Sequence, residues 1–341
     1  MFELSEKEFQ ERQVNAEKML AMCDILKEKG YVIIEKVYSQ AQIDKWRAEL
    51  MTLLEAKREK FFALMQAKGS KASGNNGPQR WSMHLPTDSQ LFQAELFAEP
   101  IVISIAQQIM GDNFVPVFIS SEIAYPGTKM QVAHQDASSF ALSLMIPLID
   151  VNPENAPTEI WEGTHKKNAS APFDLGYYYV SDAECEQYVE KQQGTLATLK
   201  KGDIILRDVR MLHRGTENVG EIARPYLHIL YYPIIHRIPP KVVTNFTVPI
   251  GKWLRNKIYP LEHTEKMILA NYVGQLPELV AYSDRDFRRT ISTEQFQKMS
   301  PQAQHLLRLA DMPNRSRWKG NWLAAAKFLW LFGKTFLRTL W

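Results

Sequence analysis

LKKGDIILRDVRMLHRGTENVGEIARPYLHILYYP, residues 199–233, holds two apolar runs separated by a polar, glycine-bearing segment. The first, IILRDV, is short, apolar and β-prone and leads to His213, while YLHILYYP follows Arg224 and TENVGE between them has turn composition. A hairpin is the natural reading, and it would set Arg224 on the strand beside His213. The same texture extends upstream. VPVFISSEIAY, MQVAH, FALSLMIPLI, TEIWEG and TLATL are further short runs punctuated by Gly, Pro and Asn. Successive short strands of this kind, from Val115 to Tyr232, predict an all-β core built as a barrel or jelly roll.

Helices are expected to flank that core. Ser5 with Glu8 has the spacing of a capping box, and Phe9, Met19, Cys23 and Leu26 predict an amphipathic helix ending at Gly30. Tyr31–Ile34 reads as a strand, and Ser39 with Gln42 starts a second helix running toward Gly69. The stretch 69–79 has loop composition, and Pro100–Met110 reads as a helix stopped by Gly111. After Pro233 the strand signal fades and helical patterns follow in HTEKMILANYV, QAQHLLRLADM and 321–341. The expected division is therefore a β-domain with N-terminal helices over 1–240 and a helical C-terminal extension over 241–341.

The chain has 341 residues, enough for a large buried core, and a formal net charge of +3. So mild a charge, without a basic stripe interleaved with aromatics, argues against nucleic acid as a partner. Cys23 and Cys185 are the two cysteines, and without any CxxC they offer neither a disulfide framework nor a zinc knuckle. MFELSEKEFQERQ is charged from its start and lacks the apolar run of a signal peptide, so a cytoplasmic location is expected.

In MQVAHQDASSF, His134 and Asp136 stand two apart, and on a strand residues i and i+2 share a face. An HxD pair alone is weak and is ordinarily a satisfied polar pair. His213 adds a second imidazole. Two nitrogens and one carboxylate with positions left open make the facial triad suited to non-haem Fe(II). The planar fork of Arg224 suits a carboxylate gripped through two hydrogen bonds.

These pieces, in this order, resemble the phytanoyl-CoA dioxygenase family. The likeness rests on HQD, on His213 within DxRxxHxGxxN, and on an arginine eleven residues later (224 − 213 = 11). EKGYVIIEKVYSQAQIDKWRAEL near the start and NAPTEIWEGTHK at 155–166 extend it over roughly Gly30–Pro233. The resemblance implies a double-stranded β-helix, the cupin-like jelly roll, as the fold. It also implies that His134, Asp136 and His213 ligate Fe(II), that Arg224 pairs with the distal carboxylate of 2-oxoglutarate, and that O2 is the second co-substrate. Hydroxylation or desaturation of a small-molecule or lipid-like metabolite would be the outcome, and Asp136 argues against halogenation. One departure matters: many relatives carry a hydroxyl residue where this chain has Gly215, so Thr158 is a candidate replacement. Gln131 stands where relatives often have a glutamine, and it reads equally as a co-substrate contact or a structural amide.

Other residues attract less. His165 reads as a structural histidine, His228 stays unassigned, and Arg80, Trp81 and His84 read as an exposed loop, with a place in the substrate pocket as the alternative. The tail NWLAAAKFLWLFGKTFLRTLW, 321–341, places Lys327, Lys334 and Arg338 on one narrow helical stripe. It reads either as an interfacial helix making peripheral membrane contact or as a docking helix. Two competing functions are a catalytically inactive jelly-roll module recruited through that tail, and a cupin-like metalloenzyme without 2-oxoglutarate. The oligomeric state is open.

Overall fold

The computed structural model describes residues 1–67, 79–85, 89–91, 93–112, 114–175, 178–233 and 293–310. The loop expected over most of 69–79 and the helices expected at 263–273 and 321–341 lie outside them. The chain opens with β1 (Phe2–Glu3), α1 (Glu6–Glu11), α2 (Ala16–Lys29), β2 (Tyr31–Glu35) and α3 (Gln40–Ala67). Next come β3 (Arg80–His84), α4 (Ala94–Phe97), α5 (Pro100–Met110), β4 (Phe114–Ala124), β5 (Leu142–Pro147) and β6 (Thr158–Ile160). The series ends with α6 (Asp182–Lys191), β7 (Thr195–Ala197), β8 (Ile204–Asp208), β9 (His213–Gly215), β10 (Arg224–Pro233), α7 (Thr293–Lys298) and α8 (Pro301–Ala310).

The local signals act as their chemistry dictates. Ser5 and Glu8 form the reciprocal capping box of α1, and Ser39 Oγ accepts from the Gln42 amide at 3.2 Å to start α3. The single helix expected before Gly30 is two, because the chain turns at Arg12 in the left-handed region before Asn15 caps α2. Ser181 and Glu184 make a second capping box on α6, which sequence reasoning missed.

Two sheets form the jelly roll: seven strands in the order β1-β2-β8-β5-β10-β4-β3, and three in the order β7-β6-β9. Period-2 alternation divides the faces of the large sheet. Leu142, Leu144, Leu206, Leu227, Ile229 and Tyr231 point outward into the main core, which they share with α2, α3 and α5. Met145, Ile205 and Tyr226 point the other way and pack with Ile160 and Ala197 of the small sheet, so the sheets face each other. Ala303 and Leu306 of α8 join the outer core, returning the C-terminal part of the described chain to the large sheet.

The expected hairpin is not there. β9 belongs to the small sheet and β10 to the large one, so residues 216–223 cross between sheets. The TENVGE composition describes a turn, and nothing local determines to which sheet the chain returns. MQVAH is likewise no regular strand: His134 alone forms a bridge, antiparallel to His213.

Candidate active site

That bridge builds the centre. The amide of His134 donates to the carbonyl of His213 at 2.9 Å, and the reverse bond is 3.0 Å. The two imidazoles are thereby held side by side, tilted 49° to one another with ring centroids 4.6 Å apart. Asp136 is turned back by its own amide, which donates to the Val209 carbonyl at 3.0 Å. One ligand atom from each of the three residues lies within 4.8 Å of the others.

The outer nitrogens settle how the rings are presented. Nδ1 of His134 lies 2.8 Å from the Val132 carbonyl and Nδ1 of His213 lies 3.0 Å from the Met211 carbonyl. A carbonyl can only accept, so Nδ1 of His134 carries the hydrogen and its Nε2 presents a lone pair inward. Nδ1 of His213 also lies 3.4 Å from Nη1 of Arg207, a donor, and its shorter contact with the carbonyl favours the same arrangement. Those Nε2 atoms stand 3.6 and 3.5 Å from Oδ1 of Asp136. Burial pushes His213 down to about 4, helped by the Arg207 guanidinium. Burial works against the Asp136 charge, yet Arg207 and His213 hold its carboxyl well below the usual range. For His134, Asp136 outweighs burial and raises the imidazole. An ionised carboxylate beside two oriented Nε2 atoms is the donor set of a facial triad, and the residues fit a divalent iron.

A second polar cluster lies deeper on the inner face of the large sheet. Arg80 of β3 and Arg224 of β10 both pair in register with Ala124 of β4, one from each side. Glu122 stands between the guanidinia: its Oε1 is 3.2 Å from Nη1 of Arg80 and 3.5 Å from both Nη atoms of Arg224. Although burial opposes the charge, Arg224 and Arg80 hold Glu122 down at about 2. Burial lowers Arg80 to about 10. The Arg224 guanidinium also lies over the Tyr226 ring, 4.4 Å from its centroid.

The remaining expectations divide. Gln131 Oε1 accepts from the Gly215 amide at 2.7 Å, so this side chain is tied to the lip of β9. Thr158 is buried beside the Tyr226 hydroxyl, which has no partner at hydrogen-bonding distance. His165 donates through Nε2 to the Lys27 carbonyl at 2.9 Å, a structural role. His228 turns inward to Ser143, and burial lowers it.

Sequence reasoning missed Glu122 and Arg207, and placed Arg80 on an exposed loop with a substrate-facing role as the alternative. Arg80 is a buried strand residue, 4 % exposed, where a loop was expected. Its edge strand is short, and PQRWSMH offers no clear alternation. The signal for the other two was available: Glu122 in ISSEIAY is a lone charge inside an apolar strand, and Arg207 in IILRDV stands beside Asp208 at the end of one, and charges so placed demand a counter-charge.

The sequence matches the phytanoyl-CoA dioxygenase family over residues 26–226. Dioxygenase af480 of Aspergillus fumigatus is 23% identical over 267 residues, covering 73% of this chain and 76% of that protein. Among solved structures, HygX from Streptomyces hygroscopicus, with nickel and 2-oxoglutarate bound, aligns with a TM-score of 0.48 at 14% identity over 65% of this chain and 88% of its own. EvdMO1 aligns at 0.46 and 19% identity over 63% of this chain, and the match spans 49% of the EvdMO1 chain, about half its length.

Proposed function

The chain belongs to the phytanoyl-CoA dioxygenase family and is an iron(II)- and 2-oxoglutarate-dependent dioxygenase, and from that premise we propose which residues serve it and on what. His134, Asp136 and His213 hold the iron, and Arg224 receives the distal carboxylate of 2-oxoglutarate. The observation that carries this reading is the convergence of two Nε2 atoms and one carboxylate oxygen within 4.8 Å, with both Nδ1 hydrogens engaged elsewhere. When bound, the metal and 2-oxoglutarate activate O2, yielding succinate, CO2 and an oxidised substrate. The protein's own part is orientation and exclusion of water. The His134–His213 bridge fixes two of the ligands on a hydrogen-bonded backbone, and His213 is buried.

The substrate is proposed to be a small-molecule or lipid-like metabolite, oxidised by hydroxylation or desaturation. The family assignment supports the small-molecule class, and the apolar tail at 321–341 favours a lipid-like member of it. Among the described residues no helix is long and apolar enough to cross a membrane; peripheral contact through 321–341 is part of the proposal. The division into 1–240 and 241–341 belongs to the same proposal and rests on the fading of the strand pattern in the sequence after Pro233.

The test is succinate release with Fe(II), 2-oxoglutarate and ascorbate. Asp136→Ala is expected to abolish it, and undiminished turnover by that variant would overturn the metal assignment. An inactive jelly-roll module and a metalloenzyme that does not use 2-oxoglutarate both predict no succinate release from the natural chain either.

A further inference from the structure

Gly215 leaves a gap in the co-substrate site as sequence reasoning describes it, because relatives often place a hydroxyl there. The structure fills the gap from another strand. A Cβ on Gly215 would overlap Nη1 of Arg80 and would come within 2.6 Å of Gln131 Oε1. Glycine is therefore what lets the Arg80 guanidinium occupy that space. Nη2 of Arg80 donates to the Thr216 carbonyl at 2.6 Å, which anchors one edge of the fork against β9. Nη1 faces Glu122, and Nε has no partner.

Arg224, at 0 % exposure, is in the same condition. Its contacts with Glu122 are at the outer limit of hydrogen bonding, and its Nε has no partner. One carboxylate oxygen thus serves two buried guanidinia. The cluster carries a net positive charge of one and spare donors on both arginines, together with the unpartnered Tyr226 hydroxyl. Uncompensated buried charge of this kind calls for an anion with several acceptor sites.

We propose that Arg80 is the second arm of the 2-oxoglutarate site: with Arg224 it clasps the distal carboxylate, taking the place that a hydroxyl residue at 215 would fill. The inference rests on the assignment of 2-oxoglutarate made above. Glu122 is then the counter-charge that lets two arginines share one pocket, and Ala124, opposite both in register, is small enough to leave room between them. Lysine could not replace Arg80 fully, because a point charge cannot hold Thr216 and a carboxylate in one plane.

Two keto acids separate the distal carboxylate from the rest of the ligand. Binding of 2-oxoglutarate and of 2-oxobutanoate, which lacks the distal carboxylate, is measured by calorimetry on Mn(II)-loaded protein. Arg80→Met is expected to weaken 2-oxoglutarate at least about tenfold while leaving 2-oxobutanoate unchanged, as expected for a lost charge-assisted hydrogen bond. Gly215→Ser alone should also weaken 2-oxoglutarate, by crowding Arg80, and the double variant Arg80→Met/Gly215→Ser should bind it better than either single variant. If Arg80→Met does not fold, Arg80→Lys carries the test, with an intermediate loss confined to 2-oxoglutarate. Equal losses for the two keto acids, or none, would overturn the role of Arg80. A natural chain that takes up Mn(II) and binds 2-oxobutanoate no more weakly than 2-oxoglutarate would instead overturn the reading of Arg224 beneath it.

Discussion

Arg207 of β8 contacts Oδ2 of Asp136, while Oδ1 of the same carboxylate faces the two imidazoles. One oxygen is left for a metal and the other is held, so Asp136 is oriented for one-oxygen ligation before any ion arrives. Arg207 is buried and Asp136 is 29 % exposed. Breaking a fully buried pair costs roughly 3–5 kcal/mol, so Arg207→Gln should cost the metal-free protein somewhat less, about 2 kcal/mol. The metal would then become the main counter-charge of Asp136, because the guanidinium no longer competes for it. The thermal shift produced by Mn(II) should accordingly be larger in Arg207→Gln than in the natural chain. Equal shifts in calorimetric scans would mean that Arg207 does not act on the ligand carboxylate.

The sequence announces the proposed ligands better than it announces their surroundings. His134, Asp136 and His213 are recognisable by type and spacing, although the backbone beneath them is a single bridge and not a strand. The short apolar runs are legible because turns punctuate them and their residues are apolar and β-prone, as in β10 from Arg224 to Pro233, which is buried on both faces. Partnership across sheets is not legible. Nothing near Arg80 says that Gly215, 135 residues away (215 − 80 = 135), has made room for it. Nor does the 216–223 segment say that it changes sheets. Such facts are fixed by long-range packing, which local periodicity does not encode.

The tail carries a prediction that depends on sequence alone. Lys327, Lys334 and Arg338 on one stripe, with Arg315, Arg317 and Lys319 upstream, would each contribute about 1 kcal/mol near an anionic bilayer. Deletion of 321–341 should therefore reduce co-sedimentation with phosphatidylserine-containing liposomes, with added salt mimicking part of the loss, and should leave Mn(II) uptake intact. Unaltered sedimentation of the truncated protein would favour a docking helix.

Gly30 and His165 form a tight steric pair. Gly30 caps α2 at φ +88, and a Cβ there would lie 2.6 Å from His165 Nδ1. Gly30→Ala meets both the left-handed backbone and the imidazole, and a loss of about 2–3 kcal/mol is expected in urea unfolding. Adding His165→Ala should relieve the steric part and leave about 1 kcal/mol of backbone strain, so the two substitutions should be strongly non-additive. Simple additivity would refute the contact.

Glu99 gives a pH dependence of stability away from the metal. Its Oε2 accepts from the Val102 amide at 2.9 Å and caps α5, but Oε1 has no hydrogen bond and Arg12 stays 3.8 Å away. Burial raises this carboxyl to about 7 from an ordinary 4.5, against the Val102 bond and Arg12. The folded chain therefore holds a proton that the unfolded chain releases. The contribution is fully favourable below about 4.5, falls as pH rises, and is lost above about 7. Glu99→Gln keeps an acceptor for Val102 and removes the titration. It should resemble the natural chain near the lower value and become more stable at higher pH, by at most about 3 kcal/mol. Urea midpoints at both ends of that window decide the matter, since a difference independent of pH would place the proton elsewhere.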